Sequence, residues 1–161
     1  MHYHRVQLFA LVLLRLLIGW HFLYEGLIKL FSSTWSGKRY LMSSESFLSD
    51  FFTWLSSDAL IGVVDFMTIF LLVGIGLTLV LGILEKWGIM AGIGLLALFY
   101  LAHPSFPGYV SPAPVEGNYF IVNKNLIEMA ALFVLWVFPT SQYVGLRHLF
   151  ISPKSAGLAT K

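Results

Sequence analysis

The chain contains no cysteine and very little charge. The missing cysteines remove disulfides, thiol–disulfide relays, thiolate metal sites and iron–sulfur clusters together. Charged residues make up 11% of the sequence, against about 25% in an ordinary soluble domain. No run of Lys or Arg occurs and the net charge is only +2. That balance argues against a nucleic-acid surface and against a polybasic lipid-binding segment. Proline is scarce too, and four of the six prolines (Pro104, Pro107, Pro112 and Pro114) fall in one stretch, which therefore reads as a turn or extended flap rather than helix.

What is present is apolar. Hydrophobic residues account for 58% of 161 positions, and mean hydropathy is +0.81. A single core of this length cannot hide that much apolar surface, so the expected solvent is lipid. The predicted class is all-α: a polytopic membrane protein built as a four-helix transmembrane bundle, in one domain over 1–161, with no separate soluble catalytic domain.

A span needs roughly 20 residues at about 1.5 Å each. The sequence predicts spans near 8–31, 60–84, 87–102 and 119–138, with Pro104 and Pro139 ending the last two. The first apolar stretch holds Glu25 and Lys29 and has no A-x-A-like end, so it reads as a retained helix rather than a signal peptide. The first loop predicts an interfacial helix near 44–56, capped by Ser44 and carrying Phe47, Leu48, Phe51, Trp54 and Leu55. A minimal turn around Glu85–Lys86 makes the second and third spans a hairpin, and the tail from Ser152 reads as disordered. Arg5, Lys86, Arg147, Lys154 and Lys161 fall on one side, Lys38 and Arg39 on the other. This asymmetry predicts a plasma (inner) membrane protein with both termini cytoplasmic. Gly74, Thr78 and Gly82, and Gly88 and Gly92, form small-residue ridges that predict close helix packing, with a partner or a second copy as candidates for part of it.

The informative residues are the ionisable ones inside the spans. Helix one carries Arg15, His21, Glu25 and Lys29. At 100° per residue they fall at about 0°, 240°, 280° and 320°, a single stripe about 120° wide. The second span carries Asp65; the fourth carries Lys124 and Glu128, one turn apart, with Asn123 and Asn125 adjacent. Measured from the span midpoints, Glu25, Lys29, Asp65 and Lys124 lie about 7–14 Å outward, and Arg15 about 7 Å inward. Three cations (Arg15, Lys29, Lys124) balance three acids (Glu25, Asp65, Glu128). Unpaired charges at mid-bilayer cost about 2.5–3.5 kcal/mol each on insertion scales, so intramembrane ionisable residues point to function. A polar site in the outer half of the bundle, with Tyr100 and His103 at similar depth, is the expectation. Structural ion pairs that fix helix register are the competing reading.

Several segments resemble DoxX/DoxD-type membrane proteins: Leu14-Arg15 through Gly19-Trp20-His21-Phe22, Tyr24-Glu25-Gly26 and Lys29; Val64-Asp65-Phe66 with Gly74 and Gly76; Tyr100 with His103-Pro104; and Glu116-Gly117-Asn118-Tyr119 followed by Asn123-Lys124-Asn125 and Glu128. The resemblance covers nearly the whole chain, about 8–149. It implies a four-helix, quinone-linked membrane subunit like the small subunit of a terminal quinol oxidase or thiosulfate:quinone oxidoreductase. On that reading Glu25, Glu128 and Asp65 relay protons. Arg15, His21, Lys29, Lys124, Asn123 and Tyr100 hold the quinone (menaquinone or ubiquinone) or another polar ligand. Electrons then come from a soluble or periplasmic oxidoreductase partner docked on the outer loops. Haem fits poorly, because His21 and His103 differ in depth by about 10 Å. No metal site is expected. A small-solute transporter and a non-catalytic assembly or chaperone module are the alternatives.

Overall fold

Long apolar runs set the frame. The computed structural model describes residues 3–105 and 119–146. Within them the chain is helical: α1 (Arg5–Phe31), α2 (Lys38–Met42), α3 (Ser49–Leu55), α4 (Ile61–Leu81), α5 (Glu85–Ala102) and α6 (Lys124–Val137). Three of these, α1, α4 and α5, are long and apolar enough to cross a membrane. The predicted helix breaks at 107, 112 and 114, the Glu116–Asn118 motif, and the tail with Arg147, Lys154 and Lys161 lie outside the described residues.

Local chemistry explains the ends. Before α1, the His4 N–H donates to Gln7 Oε1 at 3.0 Å. α4 stops at Leu81 because Gly82 turns left-handed at φ 65°, a conformation glycine adopts without steric cost. Leu84 is also left-handed (φ 52°), and the next residue, Glu85, already begins α5. Glu85 is therefore helical and not a turn residue. α5 ends one residue before the His103–Pro104 pair, as the residue preceding proline avoids helical geometry. Asn123 caps α6, its side-chain oxygen accepting the Leu126 N–H at 3.1 Å.

Two expected elements differ. The predicted 119–138 span has its helix only from Lys124, because Tyr119 and Val122 exchange backbone hydrogen bonds (2.9 and 3.1 Å) in a tight turn with Phe120 at φ 65°. At 14 residues, α6 is not among the helices long enough to qualify as a span by itself. The predicted 44–56 helix is helical only over α3, Ser49–Leu55, and a separate short helix, α2, precedes it. Ser44 does not cap α3; its hydroxyl donates to the Ala102 carbonyl at 2.7 Å, satisfying an orphan acceptor at the C-terminal end of α5.

The bundle is assembled on glycine contacts. α1 and α4 run antiparallel, with Gly76 against Leu23 and with Gly19 and Gly26 against Leu79–Val80 and Leu72–Val73. A Cβ on Gly76 would stand 2.5 Å from the Leu23 nitrogen. α5 meets α4 where Gly88 lies under Thr78, and Gly92 sits at the centre, facing Leu132 of α6, Ile75 of α4 and Phe22 of α1. The predicted ridge residues Gly88 and Gly92 thus make contacts, whereas Gly74 has open space beside it and Gly76 does the packing instead. Leu79, Ile89, Leu132 and Leu135 are fully buried at the core. Phe9, Trp20, Phe66, Phe70, Met90 and Phe133 point outward, the distribution expected where the surrounding solvent is apolar.

Candidate functional site

A cavity of about 400 Å³ opens in the half of the bundle that holds the α1 C-terminus. Its floor and walls are apolar: Phe22 from α1, Leu72 from α4, and Leu95, Leu96 and Phe99 from α5. The first loop forms the roof, with Trp35, Gly37, Tyr40 and Leu41 on one side and Phe51, Phe52 and Leu55 of α3 on the other. One edge is polar: His21, Glu25 and Lys29 from successive turns of α1, facing Lys124 and Asn125 at the start of α6. The helical repeat places these three α1 side chains on one wall, four residues apart.

The polar edge is organised in pairs. His21 Nδ1 and Glu128 Oε1 are 2.8 Å apart. Two acceptors cannot approach that closely without a proton between them, so this pair holds a shared proton at the cavity wall. Lys29 pairs with Glu25, and its ammonium also lies 5.7 Å from the centre of the Trp35 ring, a cation–π contact that ties α1 to the roof. Lys124 makes no hydrogen bond or ion pair among the described residues.

The roof is pinned to three helices. The Gly37 N–H donates to Asp65 Oδ1 of α4 at 2.8 Å, and a Cβ at Gly37 would stand only 3.1 Å from that oxygen. The Tyr40 hydroxyl donates to the Phe99 carbonyl at 3.1 Å. His103 Nε2 lies 3.0 Å from the Tyr40 carbonyl, an acceptor only, so this nitrogen carries the ring proton. Burial pushes the Tyr40 phenol well above its ordinary ionisation range.

The predicted site residues therefore separate. His21, Glu25, Lys29 and Lys124 line one cavity, and Glu128 backs His21. Asp65 is absent from the lining and holds the loop backbone. Tyr100 donates to the Ile121 carbonyl at 2.8 Å, bracing the turn before α6, and Asn123 is spent on its cap. Arg15 lies about 15 Å along α1 from Glu25 and belongs to another layer.

That second layer was hidden in the sequence. Glu85 has no exposed surface and Arg15 only 1%. The Glu85 carboxylate accepts from Thr140 N–H at 3.0 Å, Thr140 Oγ1 at 3.0 Å and Ser141 N–H at 2.7 Å. Arg15 NH1 donates to Thr140 Oγ1 at 2.8 Å and lies 3.9 Å from Glu85 Oε1. Arg15 Nε and Ser141 Oγ are buried with no hydrogen-bond partner among the described residues. The expected single convergence of charges is thus two layers, because Glu85, read as a turn residue, is the acid that Arg15 meets.

Chemically, the cavity offers an apolar chamber, a lysine, Lys124, that makes no ion pair among the described residues, and a proton held between imidazole and carboxylate. Among the described residues no group of three or more His, Asp or Glu is placed to hold a metal ion. Compared with protein-family models, curated proteins and solved structures, the chain has no match.

Proposed function

We propose that this chain is the integral membrane subunit of a quinone-linked oxidoreductase of the DoxX kind, binding the quinone headgroup in the roofed cavity. The observation that carries the reading is the cavity itself: apolar on its floor and walls, polar along one edge, and about 400 Å³ in volume. Small-molecule sites commonly measure about 300–1,000 Å³ and combine such walls with a few convergent polar groups. Bound there, a quinone would supply reversible two-electron, two-proton redox chemistry. Lys124, which makes no hydrogen bond among the described residues, would donate to a carbonyl oxygen. The His21–Glu128 pair holds a proton at the wall, and Glu25 with Lys29 continues the polar edge toward the roof. Electrons would come from a soluble or periplasmic partner subunit docked on the roof side.

The reading includes four membrane crossings in the plasma membrane, with both termini cytoplasmic. Support for the fourth crossing comes from both ends of α5. Tyr100 holds Ile121, and Glu85 holds Thr140, so residues 121–140 run antiparallel to α5 through the same thickness. Arg5 and Lys86 then share the cytoplasmic end, and Lys38 and Arg39 the roof end, in keeping with the positive-inside rule.

The test is direct binding. A short-tail ubiquinone or menaquinone analogue is titrated into the detergent-purified chain and into Lys124→Met. Loss of a hydrogen bond from a charged donor costs about 1.5–3 kcal/mol, so affinity should fall about 10- to 100-fold. Absence of saturable binding to the wild-type chain, or equal affinity in the variant, sinks the assignment.

A further inference from the structure

Residues 139–146, which follow α6, are tied to every element at the end of the bundle away from the cavity. The Pro139 carbonyl accepts from the Tyr3 hydroxyl at 3.5 Å, and the Tyr3 and Tyr143 rings meet edge-on at 5.2 Å. Thr140 and Ser141 close on Glu85 and Arg15 through the hydrogen bonds given above. The Arg15 guanidinium lies over Gly82, where a Cβ would stand 3.2 Å from NH1. Gly145 also packs against Gly82, and the Leu146 N–H donates to the Leu81 carbonyl at 2.9 Å. Both glycines are required: a Cβ on Gly82 would stand 2.9 Å from the Gly145 Cα, and Gly82 is in addition left-handed.

This concentration of polar contacts follows α6, the helix least able to cross a membrane alone. Its 14 residues reach only about 21 Å of a hydrocarbon core about 30 Å thick, and its first two turns carry Lys124 and Glu128. Backbone N–H groups just past such a helix would be left unsatisfied in lipid, at several kcal/mol each. Glu85 accepts from two of them, Thr140 and Ser141, and Arg15 offsets the buried carboxylate. A buried ion pair seldom out-stabilises an apolar one, so its value lies in specifying one arrangement.

We infer that Arg15, Glu85 and Thr140 form a topological latch, which makes the crossing of residues 121–140 depend on a tertiary contact rather than on the hydrophobicity of that segment. The latch holds the chain beyond α6 on the same membrane face as the N-terminus. It rests on the four-crossing part of the reading above and is independent of the quinone part.

The absence of cysteine from the chain makes the test clean. Single cysteines are introduced at His4 and Val144, and at Phe47 as the reporter for the cavity end; all three sites are exposed. A membrane-impermeant maleimide is then applied to intact and to permeabilised cells. In the otherwise wild-type chain V144C should label from the same face as H4C and opposite to F47C. V144C labelling from the F47C face would overturn both the four-crossing reading and the latch. In Arg15→Met and in Glu85→Leu, most V144C should change face or label from both. Unchanged labelling together with unchanged thermal stability overturns the latch alone. Should the single variants be lost from the membrane, R15M/E85Q leaves no uncompensated charge and retains a side-chain acceptor for the backbone. Its recovery, with V144C back on the H4C face, supports the latch; its equal loss refutes the pairing of the two charges.

Discussion

Gly76→Ala asks the bundle to admit one methyl group where α1 and α4 have no space. The new Cβ would stand 2.5 Å from the Leu23 nitrogen, 2.6 Å from its Cβ and 2.7 Å from its Cα. All three atoms are fixed to the helix, so no rotamer change relieves the clash. Ordinary carbon contacts lie at about 3.5–4.0 Å, so the two helices must part by about 1 Å. Parting opens the flanking contacts at Gly19 and Gly26 and shifts Leu72, which lines the cavity. Overpacking of this kind costs about 1–3 kcal/mol, against a helix-propensity gain of about 1 kcal/mol for alanine over glycine. Backbone contact puts the cost at the upper end, leaving a net loss of about 1–2 kcal/mol, or about 2–8 °C in Tm at this chain length. Gly74→Ala is the control, because nothing lies within 4 Å of the added methyl. It should keep the propensity gain and melt at or above the wild type. Thermal melting of both variants in the same detergent, followed by circular dichroism, decides the matter. If G76A is as stable as G74A, the proposed α1–α4 contact is wrong.

Other perturbations separate the roles of individual groups. Ser141→Ala removes a buried hydroxyl that has no partner among the described residues while keeping the backbone donor to Glu85, so stability should hold or rise by up to about 1 kcal/mol; Thr140→Ala, which strips Arg15 and Glu85 of a shared hydroxyl, should cost about 1–3 kcal/mol in the same denaturation assay. Asp65→Ala should free the roof and speed tryptic cleavage after Lys38 and Arg39, whereas Asp65→Asn keeps an acceptor for the Gly37 N–H and should resist; equal cleavage of both would remove Asp65 as the anchor. Burial raises the Tyr40 phenol above its ordinary pKa, so the unfolded chain ionises first as pH climbs past about 10. Stability should fall there with a steeper pH dependence than in Tyr40→Phe; identical alkaline slopes would contradict the raised pKa of the Tyr40 phenol.

The sequence was most readable where a single element decides the outcome. Apolar runs located α1, α4 and α5, Pro104 and Pro139 marked two helix ends, and the angular stripe placed His21, Glu25 and Lys29 on one wall. Arg15 shares that stripe, yet angle alone could not say which layer it joins. Its partners Glu85 and Thr140 are distant in sequence, and Glu85 beside Lys86 looked like an ordinary charged turn. Spacing of four groups Gly74 with Thr78 and Gly82 as a ridge, yet the close contact with α1 is made by Gly76. The better signal was on the other helix, where Gly19 and Gly26 are two turns apart and leave a groove for a glycine opposite. Asp65 was placed at a suitable depth, but a carboxylate bonded to a backbone N–H leaves no mark in composition. Contacts distant in sequence are equally unmarked: Tyr100 braces the entry to α6, beside the local Asn123 cap, and Ser44 closes the end of α5.

The measurement that bears most directly on the proposed function is the identity of what the cavity carries out of the membrane. The chain is purified in mild detergent, the co-purifying lipids are extracted, and quinones are quantified per chain by mass spectrometry. Wild-type protein should retain close to stoichiometric menaquinone or ubiquinone, and Lys124→Met should retain markedly less at equal thermal stability. Phospholipid alone in the wild-type extract, with no quinone taken up when it is supplied in excess, would contradict the account.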